Sequence, residues 1–398
     1  MKFLLVEPEF EGHYMILYVR FILRVLNKNK HKVFFLTSKK STHHVSFKII
    51  KKECPNIKIY TIKRIKPKSY SSLDLFKYQY KLYNEIKISF EKISNENEID
   101  HVFLNSFDHF DKIISLFGSP FKNIKFSGIL VNPKFYMQES RLGSAGRFSS
   151  LSKFLFKKLL NNRNLKKIFC NDAFFIEYLK LKNIKNFNKL SFLIEPREFK
   201  HNFTKKYSLK KLKLPMKGTY VLVYGAIKES KGIRTIFEVL NNPLLNKSIK
   251  FIFAGKFDKE TTNFTKNNEK CKMLISQKKL FIFNKFQDDI EESMLFDASD
   301  IIWIGYNKNF PFLSGVFFQA AVKNKPVISS NHGIIGNNNK KYKLGYSVDV
   351  NNTLEIIKKI NKLCIPKNRK KFKINSKKLS RIANPKYFMS QIYKSIIV

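Results

Sequence analysis

The stretch TYVLVYGAIKESKGIRTIFEVLNN, residues 219–242, decides the fold of this 398-residue chain. It begins with an apolar run that predicts a buried β-strand, and from 231–242 its apolar side chains recur at helical spacing. Gly225 permits a tight turn after the strand, and Lys228 and Lys231 place ammonium groups beside the free N–H groups of a helix start. This order of elements suits the binding of a diphosphate. The alternative is an ordinary turn between strand and helix, with solvated lysines.

The same alternation of strand and helix patterns continues on both sides of this stretch. Apolar runs that predict further strands lie at 2–7, 31–38, 101–105, 125–131, 166–172, 189–196, 249–255, 278–286, 300–306 and 325–330. Segments with helical periodicity lie between them, and repeated units of this kind form parallel sheets covered by helices. The sequence therefore predicts an α/β protein of two Rossmann-like domains whose parallel sheets face each other across a cleft.

The domain boundaries follow from the places where this alternation stops. Residues 1–196 form the predicted first domain, and the lysine-rich, weakly periodic segment 197–217 is the predicted linker. Residues 218–385 form the predicted second domain. The final helix, 386–398, is expected to pack back toward the first domain.

The charge of the chain is strongly positive, with 76 Lys and Arg residues against 30 Asp and Glu residues and a formal net charge of +46. Nucleic-acid binding is not expected, because the sequence has no helix-turn-helix, zinc-finger, RRM or KH signature. Attraction to an anionic membrane surface is a second explanation, since each basic residue near such a surface contributes about 1 kcal/mol. The third is a compositional bias toward Lys, Asn, Ile and Phe. Membrane attraction and compositional bias both remain open as explanations of the charge.

The sequence contains no apolar run of the roughly 18 residues that a membrane-spanning helix requires. The apolar run at the N-terminus ends at Glu7, which is too early for a signal peptide. The four cysteines are far apart and lack metal-site spacing, which is typical of reduced thiols. We therefore expect a cytoplasmic protein, with peripheral attachment to the cytoplasmic face of a membrane as an open possibility.

A second informative stretch, FPFLSGVFFQAAVKNKPVISSNHGIIG, covers 310–336. Ser314 precedes an apolar helical segment and is a good N-cap residue, so the amides of Gly315 and Val316 would point toward an anion. Gln319 lies about one turn further along and can both donate and accept hydrogen bonds, which suits a ribose diol. The alternative is a capped core helix with a buried glutamine.

Together these stretches resemble the retaining glycosyltransferases of GT-B fold known as family 4, or group 1. The family carries a G-x-x-x-x-x-K-G turn for donor phosphates, and later an A-x-x-x-x-K-P-V-I segment followed by a glycine loop. The positions that match these motifs are Gly225, Lys231 and Gly232 in the first, and Ala320, Ala321, Lys325, Pro326, Val327, Ile328 and Gly333 in the second. The resemblance is strong over 219–350 and loose before it.

This resemblance implies a nucleotide-sugar donor bound by the second domain and an acceptor bound by the first. It implies that the loop at Phe286 contacts the base of the nucleotide. In the N-terminal segment PEFEGHYMILYV, Gly12 belongs to a loop that faces the cleft in one branch of the family. The sequence has no D-x-D motif, so neither a bridging metal nor another cofactor is expected. The leaving diphosphate would then be stabilised by Lys231, Lys228 and helix-start amides.

The sequence also departs from the family at three positions. Pro311 and Gln319 stand where the family has the two glutamates of an E-x7-E motif, and Ala226 stands where it usually has an arginine. One explanation is a divergent branch in which Ser314, Gly315 and Gln319 replace the carboxylates. The other is loss of activity.

The catalytic candidates of the first domain are His13, Asp108 and His109. Each follows a predicted strand, where ligands gather in α/β folds. The alternative for each is a locally hydrogen-bonded, structural side chain.

We therefore predict a retaining, metal-independent enzyme that moves a sugar from a nucleotide-sugar donor to a glycan or a lipid-linked acceptor, as in polysaccharide biosynthesis. The alternative is a catalytically inactive binding or partner subunit of the same fold. A nucleic-acid binder would not need the cleft motifs. The base and sugar of the donor, and the identity of the acceptor, are not fixed by the sequence.

Overall fold

The structure is a computed structural model that describes residues 1–9, 15–69, 71–131, 133–143 and 148–397. The chain forms two compact units. The first comprises Met1–Ser140, Ser144–Pro196 and Pro385–Val398, and the second comprises Arg197–Asn384 together with Arg141–Gly143. Each unit is built around its own parallel sheet.

The first unit contains a seven-stranded sheet in the order β3-β2-β1-β4-β5-β6-β7. Its strands are β1 Lys2–Glu7, β2 Lys32–Ser38, β3 Lys58–Ile62, β4 His101–Leu104, β5 Lys125–Leu130, β6 Leu165–Cys170 and β7 Leu190–Phe192. Every pair of neighbouring strands is parallel. The inner strand β1 is buried from Phe3 to Glu7, because helices cover both faces of such a sheet. This burial explains the nearly continuous apolar sequence of β1.

The second unit contains a six-stranded parallel sheet in the order β10-β9-β8-β11-β12-β13. Its strands are β8 Thr219–Tyr224, β9 Ile249–Ala254, β10 Leu280–Phe283, β11 Ile301–Ile304, β12 Val327–Ser330 and β13 Gly345–Val348. In both units the strand order reverses beside the first strand, between β1 and β4 and between β8 and β11. Open parallel sheets bind ligands at the carboxyl ends of the strands at such a switch point.

The α-helices connect and cover the two sheets. In the first unit they are α1 Arg20–Lys28, α2 Val45–Glu53, α3 Ser72–Glu96, α4 Asp111–Phe117, α5 Ser149–Leu160 and α6 Ala173–Leu181. In the second they are α7 Lys205–Lys211, α8 Ile233–Asn241, α9 Lys259–Asn267, α10 Glu269–Ser276, α11 Asp289–Ala298, α12 Gly315–Val322, α13 Gly333–Tyr342, α14 Thr353–Cys364, α15 Pro366–Lys370 and α16 Lys373–Ile382. The last helix, α17 Pro385–Ile397, returns to the first unit. Shorter helical turns occur at Met15–Val19, Lys39–His43, Phe107–His109, Phe187–Lys189 and Glu229–Lys231.

Helix α17 completes the core of the first unit. Its side chains Phe388, Ile392 and Ile396 are buried in the cluster that includes Tyr18 near the start of α1. The rings of Tyr18 and Phe388 lie 5.8 Å apart between centroids. Full burial of side chains of this size contributes about 1.5–3 kcal/mol each, so α17 is an integral part of the first unit.

The α/β architecture with two parallel sheets is as predicted, but some elements differ from the sequence prediction. The predicted linker, 197–217, lies in the second unit and contains α7, which Thr204 caps by accepting from the Tyr207 amide. The strand predicted at 189–196 is only Leu190–Phe192. Strands β3 and β13 were not predicted from an apolar run, because their residues are only partly buried.

Candidate active site

The switch point of the second unit lies between the loop after β8 and the loop after β11. Asn307 ties the two loops together, because its backbone N–H donates to Ser230 O at 2.8 Å and its side-chain amide donates to Glu229 O at 3.0 Å. Trp303 of β11 donates its indole N–H to the Lys231 carbonyl at 2.8 Å. These contacts fix the backbone on either side of the Lys231 side chain.

Lys231 is a buried cation, with a fractional exposure of only 8%. Its Nζ donates to the carbonyl of Tyr224 at 2.7 Å and to the hydroxyl of Tyr306 at 3.1 Å. The same ammonium lies 5.1 Å from the centre of the Tyr306 ring. These partners are neutral oxygens and an aromatic face, and no ion pair to Lys231 occurs among the described residues. A buried charge without a counter-charge is costly, so the site favours an anionic ligand.

Ser314 and Gly225 lie in the same cluster. The hydroxyls of Tyr306 and Ser314 are 3.1 Å apart, and a Cβ atom built on Gly225 would be 3.8 Å from Lys231 Nζ. Phe310 stacks on the Tyr306 ring, with centroids 4.2 Å apart. The structure therefore brings together three of the residues predicted to bind the donor.

Helix α12 begins beside this cluster, with Gly315 as its first residue. Ser314 occupies the N-cap position, but its side chain does not cap the helix, which differs from the prediction. Its hydroxyl contacts Tyr306 instead, and Val316 is buried. The first amides of α12 carry the positive end of the helix dipole, which together with Lys231 favours a negatively charged group.

Gln319 has a partner that sequence analysis did not identify. Its Nε2 donates to Glu292 Oε1 of α11 at 2.6 Å. Burial raises the pKa of the Glu292 carboxyl, while Tyr224 and Arg197 act in the opposite direction. The second unit therefore keeps one carboxylate beside Gln319, on a neighbouring helix.

Two predicted donor-binding residues stand apart from these contacts. Lys228 is exposed in the loop after β8. Phe286 follows β10 and is 83% exposed, so its ring is free to meet a ligand or solvent. In the described part of the chain, neither side chain contacts the cluster around Lys231.

Two glycines bring the loops after β8 and β9 into close approach. Gly225 donates its N–H to Ala254 O at 3.0 Å. Gly255 has φ +134°, and a Cβ atom placed on it would lie 1.9 Å from Gly225 O. Only glycine fits at Gly255 without displacing the turn that carries Gly225.

The switch point of the first unit holds a buried carboxyl group at the end of β1. Glu7 accepts hydrogen bonds from Asn105 Nδ2 and Ser106 Oγ, both at 2.5 Å, and from the amide of Glu9 at 3.0 Å. Burial raises the pKa of Glu7 to about 7, against these hydrogen bonds, which lower it. The sequence predicts Glu7 only as the end of a strand. In the structure its carboxyl accepts three hydrogen bonds at this edge of the sheet.

Asp108 and His109 lie on the same edge. Asp108 Oδ2 accepts from the Val131 amide at 2.9 Å, and the ring of His109 packs edge-on against Tyr78 at 5.6 Å. Burial lowers the pKa of His109, which favours the neutral imidazole. The other two predictions on the N-terminal side, Gly12 and His13, lie outside the described residues.

Most of the second unit is similar to a known protein family. Residues 204–379 match the family model described as Glycosyl transferases group 1. The matched segment is a glycosyltransferase domain and covers most of the second unit. No curated protein sequence matches the chain.

Solved structures of GT-B glycosyltransferases are similar to this glycosyltransferase over nearly its whole length. A glycosyltransferase from Rickettsia africae is 19% identical with a TM-score of 0.69, and the match covers 99% of this chain and 97% of that one. HepE from Anabaena, in complex with UDP, is 14% identical with a TM-score of 0.68, covering 100% and 99%. WaaG, a glycosyltransferase involved in lipopolysaccharide biosynthesis, is 11% identical with a TM-score of 0.63, covering 98% and 99%. The fold of this glycosyltransferase is therefore GT-B.

The cluster around Lys231 and the Gln319–Glu292 pair both lie within the group 1 domain of this glycosyltransferase. Other motif residues have structural roles: Lys325 Nζ donates to Ser299 O at 2.7 Å and to Asp297 O at 3.3 Å. Within the described ranges, no three His, Cys, Asp or Glu side chains are grouped so that they could hold a metal ion.

Proposed function

We propose that this glycosyltransferase uses a nucleotide-sugar donor and transfers the sugar with retention of its anomeric configuration to a glycan or lipid-linked acceptor. The observation that carries the proposal is the buried ammonium of Lys231, whose contacts in the described residues are neutral. The diphosphate of a nucleotide sugar would supply the missing negative charge. The similarity to HepE, whose structures contain UDP and UDP-glucose, supports the same donor class.

The chemistry of the step requires stabilisation of the leaving diphosphate. As the bond from the anomeric carbon to the phosphate oxygen breaks, negative charge grows on that oxygen. The Lys231 ammonium and the first amides of α12 are fixed beside each other before reaction, so they need little reorganisation to stabilise this charge. The proposal places the diphosphate between Lys231 and Gly315.

Retention and metal independence follow from the family 4 assignment, which is itself part of the proposal. In this scheme the acceptor hydroxyl attacks from the side of the leaving group, and its proton passes to the leaving phosphate. No protein nucleophile is required, and the cationic groups take the place of a bridging metal. The absence of a D-x-D motif from the sequence supports this view.

The acceptor is proposed to bind at the carboxyl edge of the first sheet. Asp108 and His109 remain the described candidates there, with His13 as a further candidate from the sequence. Ser106, held by Glu7, adds a hydroxyl to this edge. Donors and acceptors of hydrogen bonds at one sheet edge suit the hydroxyls of a sugar.

The proposed activity is tested by incubating the enzyme with nucleotide sugars that differ in base and sugar, and measuring release of nucleoside diphosphate. Release that persists in EDTA supports metal independence. Proton NMR of the first product formed then reports the anomeric configuration. A product with inverted configuration would contradict the retaining mechanism, and activity that requires a divalent cation would contradict metal independence.

A catalytically inactive partner subunit is the second candidate, and the motif substitutions at Pro311 and Gln319 favour it. Such a protein would bind the nucleotide sugar without releasing diphosphate from it. Binding without turnover, across the same set of donors and with acceptor extracts added, would support the partner subunit and overturn the enzyme assignment for this chain.

Attachment to an anionic membrane surface is also proposed, at helix α3. No helix in the described part of the chain is long and apolar enough to cross a bilayer. On α3, however, Leu73, Phe76 and Tyr80 are exposed along one stripe, which we call the α3 stripe, and Lys77 and Lys81 are exposed beside it. Apolar side chains flanked by lysines suit the headgroup region of an anionic bilayer.

We expect the protein to co-sediment with vesicles that contain anionic lipid, and to be released as salt rises, because the Debye length falls from about 10 Å at 0.1 M to about 3 Å at 1 M. The double variant Phe76→Ser/Tyr80→Ser should bind several-fold less than the wild type. Leu181→Ser, which removes an exposed apolar side chain elsewhere in the first unit, should bind like the wild type. Equal, poor binding to neutral and anionic vesicles at low salt would refute the membrane proposal.

A further inference from the structure

Strand β13, at the edge of the second sheet, carries a tyrosine ring that three lysines surround. Tyr346 is half-buried, and its ring packs edge-on against Phe372 with centroids 5.4 Å apart, so the ring is held in place. The ammonium nitrogens lie close to the ring centre, at 5.0 Å for Lys359, 5.7 Å for Lys362 and 4.8 Å for Lys371. We call Tyr346 and these three lysines the Tyr346 cluster.

The Tyr346 cluster lies away from the proposed diphosphate site. Tyr346 pairs with Ile328, the second residue of β12, so it lies near the amino ends of the parallel strands. Lys231 instead follows β8 and lies beyond the carboxyl end of that strand. The cluster is therefore not part of the site described above.

The positive charge of the cluster is not balanced by a carboxylate. Among the described residues, none of its three lysines forms an ion pair. Glu355 lies one helical turn before Lys359, but its carboxyl accepts the Asp349 amide at 3.0 Å. After Glu355 the sequence has 13 Lys and Arg residues and no Asp or Glu, whereas all 30 acidic residues of the chain lie up to this position. Three like charges gathered without a carboxylate repel one another and favour the binding of an anion.

The hydrogen-bonding groups of the cluster indicate the kind of anion. Lys371 Nζ donates to the Tyr346 hydroxyl at 2.7 Å, and no described residue accepts the hydrogen of that hydroxyl. An ammonium group only donates, and a phenol hydroxyl can donate while it accepts. The cluster therefore offers a ligand several donors. A phosphate group suits them best, because it has three strong acceptor oxygens and about 1.5–2 negative charges at neutral pH.

We propose that the Tyr346 cluster is a second anion site of this protein, which binds a phosphate group between the three lysines and the Tyr346 hydroxyl. The same chemistry recognises a free phosphate and the phosphomonoester headgroup of a lipid. The inference goes beyond the proposed function and does not depend on it, because the cluster and Lys231 lie at opposite ends of the parallel strands.

The test uses two triple variants that change the net charge equally. The site variant replaces the three lysines of the cluster and is Lys359→Gln/Lys362→Gln/Lys371→Gln. The control variant replaces three exposed lysines of α14 and α15 that do not lie over the Tyr346 ring, and is Lys358→Gln/Lys367→Gln/Lys370→Gln. Both variants keep Lys231, so phosphate bound at the proposed donor site would contribute equally to each.

Binding of inorganic phosphate is measured by isothermal titration calorimetry at constant ionic strength. We expect saturable binding to the wild type and the control variant, and about tenfold weaker binding to the site variant, which is the lower range for loss of a hydrogen bond to a charged group. Equal weakening in the site and control variants would show that only net charge matters, and would overturn the inference.

Tyr346→Phe tests the hydroxyl separately. This variant keeps the aromatic ring under the lysines and removes one donor, so it should bind phosphate several-fold more weakly at an unchanged melting temperature. Wild-type affinity in Tyr346→Phe would overturn the placement of the phosphate at the hydroxyl.

Co-sedimentation with vesicles distinguishes the two sources of the phosphate group. Vesicles that contain phosphatidate, a phosphomonoester, are compared with phosphatidylglycerol vesicles of the same surface charge. A preference for phosphatidate that only the site variant loses assigns the site to a lipid headgroup, and phosphate binding without this preference assigns it to a free phosphate. If the wild type shows neither saturable phosphate binding nor this preference, the Tyr346 cluster is not a phosphate site.

Discussion

Replacement of Lys231 by alanine is expected to lower kcat/KM by about a hundredfold. The ammonium is held in advance by Tyr224 O and the Tyr306 hydroxyl, so it acts on the leaving diphosphate without reorganisation. Loss of one preorganised group that stabilises developing negative charge costs about 10²–10³ in rate. Steady-state kinetics with the donor identified by nucleotide release would measure the effect.

Two controls separate this catalytic loss from unfolding. Lys231→Met fills much of the same space without charge, so it should lose activity like the alanine variant while keeping a melting temperature near the wild type. Lys247→Ala removes an exposed lysine just before β9, at the opposite edge of the sheet, and should leave kcat/KM unchanged. If Lys231→Met retained wild-type kcat/KM, the leaving group would not be stabilised by Lys231.

Replacement of Gly255 by alanine is expected to destabilise the second unit by about 3 kcal/mol or more. Alanine at φ +134° is strained, and its Cβ would lie 1.9 Å from Gly225 O, a backbone atom that cannot move without moving the Gly225 turn. For a unit of this size the melting temperature should fall by about 6–12 °C. The displaced turn should also weaken donor binding, which a titration on the folded variant would measure.

Gly218 provides a matched control in the same unit, because its φ of +136° is nearly that of Gly255. The nearest atoms to a Cβ on Gly218 are at the end of the flexible Lys250 side chain and at Ser248 O, between 2.9 and 3.0 Å away. Gly218→Ala should therefore cost much less, and donor affinity should not change. If the two alanine variants were equally stable and bound donor equally, the close approach at Gly255 would not support the site.

The architecture could be predicted from the sequence because the buried strands are continuous apolar runs. The stretch 219–242 contains β8, the turn at Gly225 and α8, and its pattern reports all three. β3 and β13 were missed for the same physical reason, since partly buried strands at the edges of a sheet alternate weakly or not at all. The segment 197–217 was interpreted as a linker because its lysines hide the short amphipathic helix α7.

The candidate site could be predicted only where a motif fixes the backbone. Gly225 and Lys231 were predicted because a glycine follows the strand and a lysine precedes the helix at a fixed distance in the sequence. Ser314 was predicted because it directly precedes an apolar helical segment. Glu292 was not, because Asp288 and Glu291 form a capping box at the start of α11 and the acidic run resembles a solvated helix end. Its importance depends on a contact with Gln319, 27 residues away in sequence. The role of Glu7 was not predicted for the same reason. Its partners Asn105 and Ser106 follow β4, almost 100 residues further along the chain.

The most direct test of the donor-site proposal is the thermal unfolding of the wild type with a nucleoside, its monophosphate and its diphosphate, for each common base. A site built around the buried Lys231, which forms no ion pair with the described residues, should respond to the diphosphate far more than to the nucleoside. At a hundredfold excess over its dissociation constant, the right diphosphate should stabilise the protein by about 2.7 kcal/mol, and the same ligand should give no shift with Lys231→Met. Stabilisation by the nucleoside equal to that by the diphosphate, or no stabilisation by any nucleotide, would contradict a donor site centred on Lys231.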